Sequence, residues 1–213
     1  MTDDFQEVFK TLQAEVVWLH SRYLSYEMLY GKSEDRINLL NLSASSFFHH
    51  LQFILLDDIE LFICKLLDPA KQGSNLNLTL EQLLNLIEDE NEIKSELIRK
   101  LHKVRLVASA IKDKRNKRLS HFDLKTSVSR KAEYFTKASR LELQDILNRI
   151  REFLNIIENN YFGSTLAYEN FSSIGNAESL VNSLKRSEAY KILEEEKVIE
   201  HGYWRTKSPF SRA

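Results

Sequence analysis

Residues that stop helices are scarce in this chain of 213 residues, which has only five glycines and two prolines. Long helices can therefore run without interruption, and with 43% hydrophobic residues the composition is that of a helical globule. A single cysteine, Cys64, rules out an intrachain disulfide. Its setting, Leu61-Phe62-Ile63-Cys64-Lys65-Leu66-Leu67, reads as that of a core thiol. The acidic start Met1-Thr2-Asp3-Asp4-Phe5 has no apolar segment of a secretory signal, and no uncharged run is long enough to span a bilayer. No membrane association and a reducing, cytoplasmic setting are expected. Phosphate-cradling glycine loops and Gly-x-Ser-x-Gly elbows are also missing, which argues against nucleotide hydrolysis and serine-hydrolase chemistry. No Glu-x-x-His pair of a di-metal bundle occurs, and the neighbours His49 and His50 would point about 100° apart on a helix, so neither a cofactor nor a metal site is expected.

What is present is helical periodicity. Phe5, Val8, Phe9, Leu12, Val16, Leu19 and Tyr23 predict a first amphipathic helix ending at Gly31. Ser33 caps a long second helix whose apolar positions, from Ile37 through Ala44, Phe47 and Ile54 to Leu66, lie on two sides and predict a central place. It stops at Asp68-Pro69. A loop to Leu78 leads into a capping-box pattern, Thr79 with Gln82, and a short helix to about Asp89. A basic helix spans about Glu92 to Leu119. A second capping box, Ser139 with Glu142, opens a helix carrying Leu143, Leu147, Ile150, Leu154, Ile157 and Tyr161 in a strict four-three rhythm. A last helix from Ala177 to about Glu200 precedes the tail Tyr203-Trp204-Arg205, and no internal repeat is present. The expected fold class is all-α: an up-and-down four-helix bundle with a short extra helix and a C-terminal helical appendage.

Charge is nearly balanced over the whole chain, at −1, but not along it. Arg99, Lys100, Lys103, Arg105, Lys112, Lys114, Arg115, Lys117 and Arg118 face only Asp113 as a local acid, an excess of eight. Such a stripe is the electrostatic footprint of a phosphate-backbone binder, or alternatively a solvated lysine-rich surface. On the same helix Leu97, Leu101, Val104, Ala108 and Ile111 mark one buried face. Counting on lands on Arg115 and Arg118, so guanidinium groups stand where apolar side chains are due. That requires a wet cleft, or acids from a neighbouring helix or a second subunit. Asp57 and Asp58, inside an apolar run of the second helix, are the candidates to orient Arg115 or Arg118, although both could equally lie on a polar edge.

The helix ends Arg115-Asn116-Lys117-Arg118-Leu119-Ser120-His121-Phe122-Asp123. A guanidinium can hold a phosphate, an imidazole titrating near neutrality can move protons at a 2′- or 5′-oxygen, and an amide can orient either. These groups suffice to cut RNA without a metal. Six residues along an ideal helix turn by roughly 240° and climb about 9 Å, so Arg115 and His121 share no face unless the helix ends between them. A two-fold axis close to this helix end would bring both pairs around one phosphate, and a homodimer is therefore expected. Convergence within one chain, after helix termination near Leu119, is the alternative.

The ordered trio of features, namely the second helix ending Leu66-Leu67-Asp68-Pro69, the loop into Leu78-Thr79-Leu80-Glu81-Gln82-Leu83-Leu84, and the Arg115-Asn116 to His121 segment, resembles the HEPN superfamily and its abortive-infection AbiU-like branch. The resemblance covers roughly residues 5 to 160 and suggests an HEPN-like bundle over 1–162, followed by a loop, helix and tail over 163–213. It implies a dimeric bundle that cleaves RNA without metal, in phage defence or as the toxin of a toxin-antitoxin pair. Arg115 would bind and polarise the phosphate, His121 would act as general acid or base, and Asn116 would orient them. Lys112, Lys114, Lys117 and Arg118 would bind the RNA backbone, and an antitoxin protein is a further candidate partner. HEPN toxins paired with nucleotidyltransferase antitoxins carry a tyrosine two residues after the histidine; here that place is Asp123. Two alternatives stay open: a non-catalytic HEPN-like module that binds RNA or protein, and a scaffold or antitoxin whose arginines form only structural ion pairs. Phe162, Tyr168, Phe171, Tyr203 and Trp204 could stack exposed bases, or could serve packing and a mobile tail.

Overall fold

The structure is a computed structural model that describes residues 3–87, 92–116, 138–169 and 174–207. Among these residues it is all-α, apart from one two-stranded hairpin of four paired residues. The helices described are α1 (Asp3–Tyr30), α2 (Glu34–Leu67), α3 (Leu80–Leu86), α4 (Glu92–Val107), α5 (Ser109–Lys114), α6 (Arg140–Phe162), α7 (Ala177–Glu195) and α8 (Tyr203–Lys207). The hairpin strands β1 (Lys71–Gln72) and β2 (Asn75–Leu76) occupy the expected loop after α2, turning at Gly73 with φ +63°. Among the described residues, no helix is long and apolar enough to cross a membrane.

Contacts divide the chain into two compact units, one made of residues 1–26 and 52–171, the other of 27–51 and 172–213. The first is held by α1, the second half of α2, α4 and α6. α1 and α6 run antiparallel: the Phe5 ring lies 5.3 Å from Tyr161, Phe9 lies 5.2 Å from Phe162, and Tyr23 donates to the Arg140 carbonyl at the far end. The predicted stripes are the ones buried. Leu12, Val16 and Leu19 of α1, Ile59 and Ile63 of α2, Leu97, Leu101 and Val104 of α4, and Leu143, Leu147, Ile150 and Leu154 of α6 form the core. The Ser139 box forms in full, with Ser139 accepting from the Glu142 amide while Glu142 accepts from the Ser139 amide, and at the start of α3 the Thr79 side chain caps by accepting from the Gln82 amide. Gly163, at φ +67°, ends α6 in a left-handed turn.

In the second unit, Arg36 forks onto Glu178 at 2.7 and 3.0 Å and also donates to the Met28 carbonyl, so one guanidinium joins the end of α1, the start of α2 and the start of α7. Leu29, Leu40, Phe48 and Val181 are its buried centre. The C-terminal aromatic stretch is helical, and the Arg205 guanidinium lies 5.5 Å from the Trp204 ring.

Two expectations change. α2 departs from helical geometry at Ala44 (φ −162°, ψ 72°) and is not central along its length, since Phe47 is 61% and Ile54 62% exposed. The basic helix is not continuous either. At Ala108 ψ relaxes to 1° and α5 starts afresh, while the backbone at Arg115 and Asn116 widens into a π-type turn. Such widened turns occur where a local constraint displaces the regular ladder.

Candidate active site

The candidate site is built where α5 ends against the C-terminal turns of α2. Glu60 and Cys64 are spaced by four on one face of α2, and Asp68 follows at the same spacing, one residue past the end of the helix. α5 turns its own cations toward them. The Arg115 guanidinium donates from its two terminal nitrogens to Asp68 Oδ2 and Oδ1 at 2.9 and 3.0 Å, and from Nε to Asn116 Oδ1 at 3.1 Å. Parallel double donation of this kind is the strongest and most directional form of the pairing. It also satisfies the requirement that the apolar count raised at position 115, because an acid from a neighbouring helix meets the arginine.

Asp68 is itself held from behind. Arg105 donates to the Leu67 and Asp68 carbonyls at 3.2 and 3.4 Å, covering the open C-terminus of α2 with a cation. Its other side is fixed by Glu81 of α3 at 3.2 Å, whose second oxygen accepts from the Ala70 amide at 2.7 Å. The guanidinium beside it holds the Glu81 carboxyl below the ordinary carboxylate range, through the hydrogen bond first. α2, α3, α4 and α5 therefore converge on one carboxylate and one guanidinium.

Two turns back along α2 lies a buried ion pair. Glu60 is fully buried, Lys114 is 5% exposed, and the Lys114 ammonium donates to Glu60 Oε2, while Glu60 Oε1 accepts from the Ala138 amide at 2.9 Å. Cys64 lies between the two pairs at 2% exposure, and burial pushes its thiol up to about 11, with Arg115 and Lys112 opposing that shift and Asp68 and Glu60 adding to it. This thiol is a core group and not a nucleophile.

The site residues read from the sequence fall in different surroundings. Arg115 and Asn116 are in mutual contact. The acid orienting Arg115 is Asp68 and not Asp58, which pairs with Arg22 of α1 at 3.1 Å; Asp57 is half-buried on α2. Lys114, expected on the RNA backbone, is instead enclosed here and paired with Glu60. Lys112 is half-buried, and Lys117, Arg118 and His121 lie outside the described residues, as do Asp123 and Phe171. The basic stripe is also weaker than its count. Of its seven cations among the described residues, four are paired with acids from elsewhere in the chain: Lys100 with Glu152, Arg105 with Glu81, Lys114 with Glu60 and Arg115 with Asp68. Of the aromatic residues considered for base stacking, Tyr168 is 1% exposed and packs on His20, whereas Tyr203 and Trp204 are exposed.

Sequence reasoning missed Glu60 and the role of Asp68. The four-residue spacing through Cys64 was the available signal, hidden because Asp68 also reads as the stop before Pro69.

Comparison with known proteins gives one assignment. Residues 2–180 match the family model HEPN_AbiU2, described as AbiU2, and this stretch contains both the bundle and the Asp68–Arg115 site. No curated protein and no solved structure matches the chain. An all-helical fold, with the Arg-Asn pair presented at the end of the α5 helix, thus meets a family match over most of the chain, which belongs to the HEPN_AbiU2 family of abortive-infection HEPN domains.

Proposed function

We propose that this chain is a metal-independent endoribonuclease of phage defence or toxin-antitoxin growth control, working as a homodimer on RNA. The observation that carries the reading is the Arg115 fork, fixed on three of its five N–H donors by Asp68 and Asn116. Among the described residues the second N–H of each terminal nitrogen has no acceptor, and these two are the donors offered to a phosphate. An arginine whose orientation is set in advance gives up little entropy when the phosphate arrives, and it opposes charge that grows on the phosphoryl oxygens during attack.

In this scheme a ribose 2′-oxygen attacks the adjacent phosphorus and gives its proton to a general base. The bond from phosphorus to the 5′-oxygen breaks, and that oxygen takes a proton from a general acid. The products are a 2′,3′-cyclic phosphate and a 5′-hydroxyl end. His121 of either subunit fills the acid or base role, since imidazole is the side chain suited to both near neutral pH.

A second reading has its own support. Asp68 neutralises Arg115 within the chain, and half-buried ion pairs of this kind also serve as purely structural clamps; on this reading the domain binds RNA or a partner protein without cutting. Labelled tRNA and mRNA incubated in EDTA with the purified protein and with His121→Ala separate the two. The nuclease reading expects cleavage by the wild type, loss of at least about a hundredfold in the variant, and RNA affinity within about threefold. Equal cleavage, or none by either protein with binding intact, leaves the binding module.

A further inference from the structure

Glu60 reaches two places at once. Its two carboxylate oxygens accept from the Lys114 ammonium, at the residue just before Arg115, and from the Ala138 amide, at the residue just before the Ser139 cap of α6. The carboxylate is fully buried on an apolar helix, and among the described residues Lys114 is the only cation paired with it. A well-packed apolar pair would serve stability about as well as an enclosed ion pair does, so what the ions add is direction. Two hydrogen bonds from one rigidly held carboxylate set the height and rotation of the last turn of α5 against α2. Asp68 sits eight residues further along the same face and takes Arg115 from that turn.

We infer that Glu60, through Lys114, is the positioning residue for Arg115, and that it fixes the start of α6 relative to the same point. The inference rests on the ribonuclease reading for its effect on cleavage, but not for its effect on structure. Glu60 touches no substrate; it acts by holding the backbone of position 115 where the guanidinium meets both Asp68 and Asn116.

Two measurements on the full chain test this together: single-turnover RNA cleavage, and amide hydrogen exchange at Asp113–Asn116 and at Ala138–Leu141. Glu60→Gln leaves one acceptor for two donors, so both stretches should exchange at least about tenfold faster while Phe153–Ile157 of α6 stays protected. Cleavage should fall by at least about tenfold with RNA affinity within about threefold. The double variant Glu60→Gln/Lys114→Gln is the rescue. The amide introduced at 60 accepts from Ala138 and donates to the amide introduced at 114, so no buried charge is left over and both protection and cleavage should return to within about threefold of wild type. Should the single variant not fold, the double variant alone decides: wild-type-like protection and cleavage support the role, and loss of both overturns it. Unchanged exchange and cleavage in a folded Glu60→Gln overturn it equally. A wild type that cuts no RNA removes the nuclease proposal, while the exchange data still judge Glu60.

Discussion

Asp68 and Arg115 meet as two facing forks, with N–O distances of 3.0 and 2.9 Å, at the point where α2 stops and α5 widens its last turn. Neither residue belongs to the apolar framework. Each stands just past the C-terminus of a helix whose apolar side chains lie in the core.

Removing the acid should therefore disturb orientation more than charge. Asp68→Ala is expected to lower RNA cleavage by about ten- to hundredfold, because a guanidinium misplaced by about 1 Å loses much of its value at the phosphate. RNA affinity should hold or rise slightly, since a negative charge has left the site. Cleavage and filter-binding assays on the same preparation check both, and a parallel fall of affinity and rate would argue for a binding surface instead.

The buried pair predicts non-additive stability. Lys114→Met leaves the enclosed Glu60 carboxylate without its cation, at a cost of about 3–5 kcal/mol in urea unfolding. Glu60→Met/Lys114→Met removes both charges of the pair and leaves the Ala138 amide without its acceptor, about 1–3 kcal/mol. The double variant should thus be the more stable of the two.

Stability should also depend on pH through His20, which is 4% exposed on α1, has no hydrogen-bond partner at Nε2 among the described residues and packs on Tyr168 at 5.6 Å. Burial first, then the Arg151 guanidinium, holds the imidazole down at about 4 from an ordinary 6.5, against Glu169. Between those values the unfolded chain binds the proton and the folded chain does not, so stability is full above about 6.5 and declines as pH falls toward 4. The contribution across that window is on the order of 3 kcal/mol. Unfolding curves from pH 4.5 to 7 should show a shallower decline for His20→Phe than for wild type, and identical slopes would refute this assignment.

If the site is shared between subunits, inactive partners should repair one another. Arg115→Ala and His121→Ala, mixed and allowed to exchange subunits, would form about half mixed dimers with one intact site of two, giving about a quarter of wild-type cleavage. A dimeric mixture that stays inactive contradicts the shared site.

Much of this molecule is legible before any coordinates. Leu97, Leu101, Val104, Ala108 and Ile111 are buried as their spacing requires, and Thr79 and Ser139 both cap their helices, because burial periodicity and local hydrogen bonds follow from sequence neighbours. The break at Ala108 left no trace, since a change in one ψ angle does not alter which residues the stripe buries. Lys114 and Glu60 were illegible for a different reason: a buried ion pair depends on two elements 54 residues apart, and each member alone resembles an ordinary surface charge. Asp58 attracted notice by standing among apolar residues, yet its partner is Arg22, and only packing could choose between the neighbouring acids of α2. The exposure of Phe47 and Ile54 was likewise hidden, because hydrophobicity alone does not say which of two apolar sides is covered.

The central claim is that Arg115, held by Asp68, is the phosphate-binding group of an RNA-cutting site. Cleavage of end-labelled RNA in EDTA by wild type and by Arg115→Ala, with analysis of the new 3′ ends, tests it most directly. The account predicts 2′,3′-cyclic phosphate ends from the wild type and a rate at least about a hundredfold lower from the folded variant. Equal cleavage by the two proteins, or none by the dimeric wild type, would contradict it.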